Sequence, residues 1–329
     1  MNVLVVGGAG YIGSHMVRCL DQQGHRVVVL DNLSTGFRAA VNAGVFVHGE
    51  LGDATLVRDL LRQHRIDAVM HFAACALVNE SVISPHKYYK NNVIDALVLL
   101  DTMRQCEVTR LVFSSTCATY GIPEAIPIVE SEKQMPINPY GFTKLVFERA
   151  LEDYSNAYGF GYAALRYFNA AGASPDGDIG EDHDPETHLI PIVLQTALSQ
   201  RSQVTIYGTD YPTPDGTCIR DYIHVDDLAA AHLLALEKLD VGSQIKLNLG
   251  TGNGFSVRQV IDACEQVTGC KIPVIEGERR AGDPPILVAN ASAAKRQLGW
   301  VPEYQDVKSI VETAWAWHRK HPHGYPKGG

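Results

Sequence analysis

A tyrosine and a lysine four residues apart, Tyr140 and Lys144, are the pair in this 329-residue chain best suited to moving a proton. Asn138-Pro139 just before them supplies a helix cap and a proline for the first helical position. The i,i+4 spacing then puts both side chains on one helix face. A free phenol ionises near pH ~10, and bringing it close to neutrality takes roughly 4 kcal/mol of phenolate stabilisation. The ammonium one turn away is expected to supply part of that, and the helix N-terminus some more. A phenolate so tuned takes a proton from an alcohol while hydride leaves the same carbon. Such a pair is also ordinary on a helix surface. Ser114-Ser115-Thr116 shifts the balance, because it closes an apolar run at the expected carboxyl edge of a sheet. A hydroxyl there hydrogen-bonds the reacting oxygen beside the tyrosine, and Thr116 is the one we select.

The hydride needs an acceptor. Gly7-Gly8-Ala9-Gly10-Tyr11-Ile12-Gly13 lies directly between the first expected strand and the first expected helix. Gly7, Gly10 and Gly13 are spaced for a tight turn, a close approach to a pyrophosphate and a helix packed near the sheet. The phosphates would lie against the positive end of that helix. Asp31 ends the second strand, where an acid accepts ribose hydroxyls and repels a 2′-phosphate. NAD is therefore expected over NADP, with Arg38 nearby as the one opposing sign.

The elements that must position these groups are readable as short apolar runs at 3–6, 27–30, 45–47, 68–72 and 111–114. Near-continuous apolarity without alternation is what a parallel sheet covered on both faces requires. Residues 12–20, 54–64 and 91–106 have helical spacing between them, which makes a doubly wound α/β pattern. A helix at 139–158 and a strand at 162–168 continue it. Residues 172–187 and 208–217 are rich in Gly, Asp and Pro and read as loops. A helix from about 225 to 238 and a strand at 245–249 revert to the earlier pattern. Residues 1–170, with returning segments at about 225–250, are thus expected to form one domain. Residues 171–224 and 251–329 form the other.

Twenty-eight Lys and Arg against 37 Asp and Glu give a net charge of −9, the wrong sign for a general nucleic-acid or membrane-surface binder. No run approaches the roughly 18 apolar residues of a membrane span. The seven cysteines are scattered without a C-x-x-C pair, as in a reducing compartment. With a strand expected from Asn2, no leader peptide is expected.

Seven stretches carry a resemblance: Gly7 to His15 (GGAGYIGSH), Asp31-Asn32-Leu33, His71-Phe72-Ala73-Ala74, Asn91-Asn92, Tyr140 to Lys144, Leu165 to Asn169 (LRYFN), and Tyr207 to His224 (YGTDYPTPDGTCIRDYIH). Together they resemble the extended short-chain dehydrogenase/reductase family over residues 2 to about 300. The last stretch is similar to its sugar-nucleotide epimerase branch. The resemblance implies a Rossmann-type doubly wound parallel sheet for NAD, with a smaller, discontinuous α+β domain for a UDP-sugar. It implies 4-epimerisation between UDP-glucose and UDP-galactose through a transient 4-keto sugar, in a cytoplasmic homodimer. The helices at 95–103 and 140–154 would form the dimer bundle.

By the same resemblance, Tyr140 is the base toward the sugar 4-hydroxyl. Lys144 tunes it and holds the nicotinamide ribose, and Thr116 hydrogen-bonds the reacting oxygen. The cofactor contacts carried over are Gly7, Gly10, Tyr11, Ile12, Gly13, Asp31, Asn32, Glu50, Leu51, Phe72, Ala73, Ala74, Asn91, Ser114 and Tyr167, with Tyr140 and Lys144. Arg220 and Arg280 match diphosphate-binding arginines, and Asp283 a uridine-ribose contact. Asn169 and Leu189 match contacts to the diphosphate and uracil regions, and Tyr207 belongs to the same substrate set. Taken alone, Arg220 would pair with neighbouring Asp221, and Arg280 would be one of a surface pair with Arg279.

Three positions depart from the family pattern. Glu50 stands where an Asp is usual, and Ala76 where some members carry a lysine near the cofactor phosphates. Leu287 stands where side-chain size decides whether N-acetylated sugars fit, so UDP-GlcNAc/GalNAc or UDP-xylose/arabinose remain alternative substrates. A dehydratase would want an acid pair after Thr116, where Cys117-Ala118 stands instead. A non-catalytic NAD(H)-binding regulator would not need Tyr140, Lys144 and Thr116 intact. Glu181-Asp182-His183-Asp184 through Glu186 and His188 match no standard metal spacing, so a solvated loop and no metal are expected. Tyr88-Tyr89 and Trp315-Ala316-Trp317 read as packing residues.

Overall fold

Successive side chains of a strand point to opposite faces, so a run that is apolar throughout must have core on both sides. The computed structural model, which describes residues 1–280 and 283–326, shows both cores. In β1 (Asn2–Val6), Val3 and Val5 pack into one buried cluster, and Leu4 and Val6 into another. The first stretch of chain continues with α1 (Tyr11–Gln22), β2 (Arg26–Asp31), β3 (Val45–His48), α2 (Ala54–Gln63) and β4 (Ala68–His71). Short helices α3 (Val78–Ile83) and α4 (Pro85–Tyr89) lead to α5 (Ala96–Gln105) and β5 (Arg110–Thr116). Then come α6 (Pro139–Tyr158), β6 (Gly161–Tyr167) and the short β7 (Asn169–Ala171). The remainder comprises α7 (Leu189–Ala197), β8 (Val204–Tyr207), β9 (Ile219–His224), α8 (Val225–Glu237) and β10 (Gln244–Leu249). It ends with β11 (Gly254–Ser256), α9 (Val257–Thr268), β12 (Val274–Gly277), β13 (Ile286–Leu287), α10 (Ser292–Leu298) and α11 (Val307–Lys320).

Seven strands make one parallel sheet in the order β10-β6-β5-β4-β1-β2-β3. The chain runs outward from β1 to β3, then crosses to β4 on the other side of β1. That reversal opens a crevice at the carboxyl ends of β1 and β4, where ligands of doubly wound sheets bind. Helices α2, α5 and α6 cover one face, and α1, α8 and α10 the other. The chain returns to this sheet after a long excursion, because α8 packs on α1 and β10 extends the edge beside β6. A second core gathers α7, α9 and α11 around β9 and the parallel pair β8 and β12. β9 also pairs with β7, β11 and β13.

Two expectations are corrected. The stretch expected as one helix at 91–106 splits, because Lys90–Asp95 is wound as a wider π-helical turn before α5. The turn carries the buried Asn92, whose amide clamps both N–H and C=O of Cys75 and reaches Thr143. Tyr88 is buried as a packing residue, but Tyr89 is 39% exposed. Among the described residues no helix is long and apolar enough to cross a membrane, and all seven cysteines are free.

His71, at the end of β4, is wedged between Phe113 and Phe147, and its Nδ1 is buried without a hydrogen-bond partner. Burial, with Lys144 adding to it, pulls its imidazole down to about 3. Between that value and the ordinary one near ~6.5, the unfolded chain binds a proton that the folded chain refuses, so stability decreases as pH is lowered. At pH 5 the deficit is about 2 kcal/mol. His71→Leu is expected to shrink the loss of urea stability between pH 8 and pH 5 by about that amount. An unchanged pH dependence would contradict the assignment.

Candidate active site

The turn after β1 is shaped by two close approaches. Gly7 has φ +82°, and a Cβ there would lie 2.4 Å from the amide nitrogen of Ala73 at the end of β4. A Cβ on Gly13 would lie 2.1 Å from the Gly7 carbonyl oxygen. Backbone thus meets backbone, and the first turn of α1, including Tyr11 and Ile12, is set against the crevice. Asp31 closes this turn from β2: one carboxylate oxygen accepts from Ala9 N–H (2.9 Å), the other from Leu33 N–H (2.8 Å). Asn32 donates to Glu50 at 3.0 Å, and Leu51 is buried beside it. Arg38 faces elsewhere, donating to the Val41 carbonyl at 3.0 Å and lying 4.8 Å over the Phe46 ring. A dinucleotide with an unphosphorylated ribose fits this cradle of amides and carboxylates.

On the other side of the crevice, α6 is pressed onto the end of β5. Asn138 caps the helix, accepting from Gly141 N–H at 2.8 Å behind Pro139. A Cβ at Gly141 would lie 2.5 Å from the Ala118 carbonyl oxygen, so only glycine lets the helix start come this close. The approach brings Tyr140 beside Thr116. Burial pushes the Tyr140 phenol well up, Tyr167 adds to the rise, and a hydrogen bond with Thr116 offsets part of it. Lys144 is 4% exposed, donates to the Ser114 carbonyl at 2.8 Å and lies 4.8 Å over the Phe113 ring. Burial pulls its ammonium down to about 7. Lys144 is not among the groups that shift Tyr140 here: its ammonium is engaged by the Ser114 carbonyl and is itself disfavoured by burial. Ser114 also shares a hydrogen bond of 2.5 Å with Tyr167. Asn91 donates to Asn92 at 2.9 Å, and Phe72 lies 5.0 Å from the His232 ring on α8.

Sequence reasoning missed the group behind this arrangement. Glu148, one turn beyond Lys144 on α6, accepts from Ser115 at 2.5 Å, from Gln134 at 3.0 Å and from Arg166 at 2.6 Å. Arg166 also donates to Tyr120, which donates to Asn248 on β10. Burial works to raise the Glu148 carboxyl, but Arg166 holds it below the usual range. The signal was present in the four-residue repeat Tyr140, Lys144, Glu148.

The expected substrate residues divide between two places. On the second sheet, Arg220 of β9 is in register with Leu287 of β13, and Asn169 of β7 pairs with Tyr222 of β9. Arg220 pairs with Asp283, not with Asp221, whose carboxylate instead accepts from the backbone of Thr251, Gly252 and Ala289. Arg280 lies 4.3 Å over the Tyr207 ring, while Arg279 is taken by Asp210 and Tyr211. Leu287 packs beside Tyr120, Ile128 and Phe168. Leu189 opens α7 and packs on the second core. The expectation of a solvated loop at 181–188 is wrong for its two glutamates: Glu181 and Glu186 are 5% and 8% exposed, each drawn against His183 and His188.

A glycine turn on the first strand facing a tyrosine-lysine helix on the fifth defines a dinucleotide-dependent enzyme of the short-chain dehydrogenase/reductase class. The profile of the NAD dependent epimerase/dehydratase family matches residues 3–250, and the chain belongs to that family. The UDP-glucose 4-epimerase of Halalkalibacterium halodurans is 55% identical over 326 residues, covering 99% of this chain and 98% of that one. The crystal structure of UDP-glucose 4-epimerase from Brucella ovis in complex with NAD is similar with a TM-score of 0.92 and 51% identity, covering 95% of this chain and 97% of that one. The Bifidobacterium longum enzyme in complex with NAD+ and UDP has a TM-score of 0.94 and 37% identity, covering 99% and 100%.

Removing the negative partner of a buried ion pair typically costs 3–5 kcal/mol. Glu148→Gln is expected to lower the unfolding free energy by about 3 kcal/mol in urea titrations. An effect below ~1 kcal/mol would mean that Arg166 finds its compensation elsewhere.

Proposed function

We propose that this chain interconverts UDP-glucose and UDP-galactose, inverting C4 of the hexose with NAD as cofactor. The observation that carries the reading is the docking of α6 on β5, which sets the Tyr140 phenol against the Thr116 hydroxyl in the crevice facing the glycine turn. NAD held by the glycine turn and Asp31 would supply the acceptor for the C4 hydride and the donor for its return. Tyr140 takes the proton of the 4-hydroxyl as the C4 hydride departs, leaving a UDP-4-ketohexose, and gives it back when the alcohol re-forms. Thr116 hydrogen-bonds the same oxygen. Lys144, fixed by the Ser114 carbonyl, holds the nicotinamide ribose.

Inversion requires the sugar to turn over while the nucleotide stays. Residues 171–224 and 251–329, joined by Asn169, supply that grip, while 1–170 with 225–250 hold the cofactor. Arg220 and Arg280 take the diphosphate, Asp283 the uridine ribose, and Asn169, Leu189 and Tyr207 the rest of the nucleotide. Tyr89, Ile94, Phe142 and Tyr158, all at least 39% exposed on the α4–α6 side, support a homodimer through that face. Leu287, packed against Phe168, limits room beside the sugar, which favours UDP-glucose over its N-acetylated relative.

Purified protein incubated with UDP-galactose and no added NAD is expected to form UDP-glucose; no turnover would sink the assignment. Tyr140→Phe should lose 10²–10⁴-fold in kcat, the usual worth of a positioned base. Full activity in that variant would remove Tyr140 from the role. The kcat/KM for UDP-glucose should exceed that for UDP-GlcNAc at least ~10-fold, as one badly fitting group in a pocket allows. Near-equal values would overturn the sugar preference.

A further inference from the structure

Beside Tyr11, four side chains of the loop between β7 and α7 turn coordinating atoms toward one another. One ligand atom from each of Glu181, His183, Glu186 and His188 lies within 4.8 Å of all the others. His188 Nδ1 is 2.9 Å from Glu181 Oε1 and 3.0 Å from Glu186 Oε1. His183 Nδ1 is 3.3 Å from Glu181 Oε1 and 3.7 Å from Glu186 Oε2. In a tetrahedral zinc shell with bonds of about 2.0–2.1 Å, ligand atoms stand roughly 3.3 Å apart. The four distances, which involve both oxygens of Glu186, run from 2.9 to 3.7 Å around that value, and one ligand atom from each residue lies within 4.8 Å of the rest.

A second observation points the same way. His183 Nδ1 is sealed from solvent and makes no hydrogen bond, although two carboxylate oxygens face it at close range. That nitrogen is thereby available as a ligand atom. Glu186 is held in place by the backbone, accepting from Thr187 N–H at 2.7 Å and His188 N–H at 2.8 Å. Two buried carboxylates also require positive charge at short range. Among the described residues, their ion pairs are with these two imidazoles.

We propose that Glu181, His183, Glu186 and His188 bind one divalent transition-metal ion, zinc by the chemistry of the ligand set. Two imidazoles and two carboxylates fill a four-coordinate shell and leave no open position, which makes the ion a structural clasp and not a catalyst. The clasp is close to the cofactor turn. The Tyr11 ring stands edge-on to His183 with centroids 6.3 Å apart, and its hydroxyl donates to the Gly172 carbonyl at 2.6 Å.

The test is metal content. Protein stripped with a chelator, returned to a slight excess of zinc sulfate and desalted is expected to carry one zinc per chain by plasma mass spectrometry. Cobalt(II) in its place should give visible bands of tetrahedral intensity. His183→Ala/His188→Ala, and separately Glu186→Gln, should lower zinc retention at least tenfold. His323→Ala, in a histidine lining the same groove outside the quartet, should leave it at one. Less than a tenth of an equivalent in the unaltered chain would mean a purely carboxylate–imidazole cluster and overturn the proposal. Full stoichiometry in the double variant would overturn it equally.

Discussion

The site depends on one contact made at three successive levels, the docking of α6 on the end of β5. Tyr140 meets Thr116, Lys144 meets the Ser114 carbonyl, and Glu148 meets the Ser115 hydroxyl. Each helical residue is four positions beyond the last, about 6 Å further along the helix axis. The last of these contacts extends furthest, because Arg166 anchors Glu148 from β6 and continues through Tyr120 to Asn248 on β10. Three neighbouring strands and the helix above them are thereby fixed relative to one another. Gly141 adds the steric half of the argument: the Ala118 carbonyl occupies the space a side chain would need.

The electrostatics of this arrangement run against a simple reading. A phenol and an ammonium on one helix face suggest that the ammonium stabilises phenolate. In the folded chain both neutral forms are favoured, with the phenol raised and the ammonium lowered, each mainly by burial. The protein supplies geometry and dryness around the pair.

Much of this was legible in the sequence, for reasons that are local. The buried strands announce themselves because both faces of each are covered, as Val3 and Leu4 illustrate by pointing into different cores. The glycine turn, the cap at Asn138 and the start of α6 depend on residues within a few positions of one another. What was not legible depends on partners distant in sequence. Arg220 finds Asp283 across 63 positions in place of its neighbour Asp221. Glu148 finds Arg166, and Asn92 finds Cys75 and Thr143 through a widened helical turn that spacing alone reads as ordinary helix. The loop at 181–188 looked solvated because its composition is polar, yet its glutamates are buried by convergence on histidines, which composition does not encode.

The late return of α8 and β10 to the first sheet has a consequence for how the chain is made. During synthesis, one face of that sheet has α1 alone to cover it until residues 225–237 emerge, and its outer edge beside β6 stays open until residues 244–249 follow. The seven-stranded sheet cannot therefore be finished on the ribosome before the loop at 172–187 and strands β8 and β9 have emerged. The two regions are interleaved in time as well as in space, so neither has a stage at which it is complete while the other is absent.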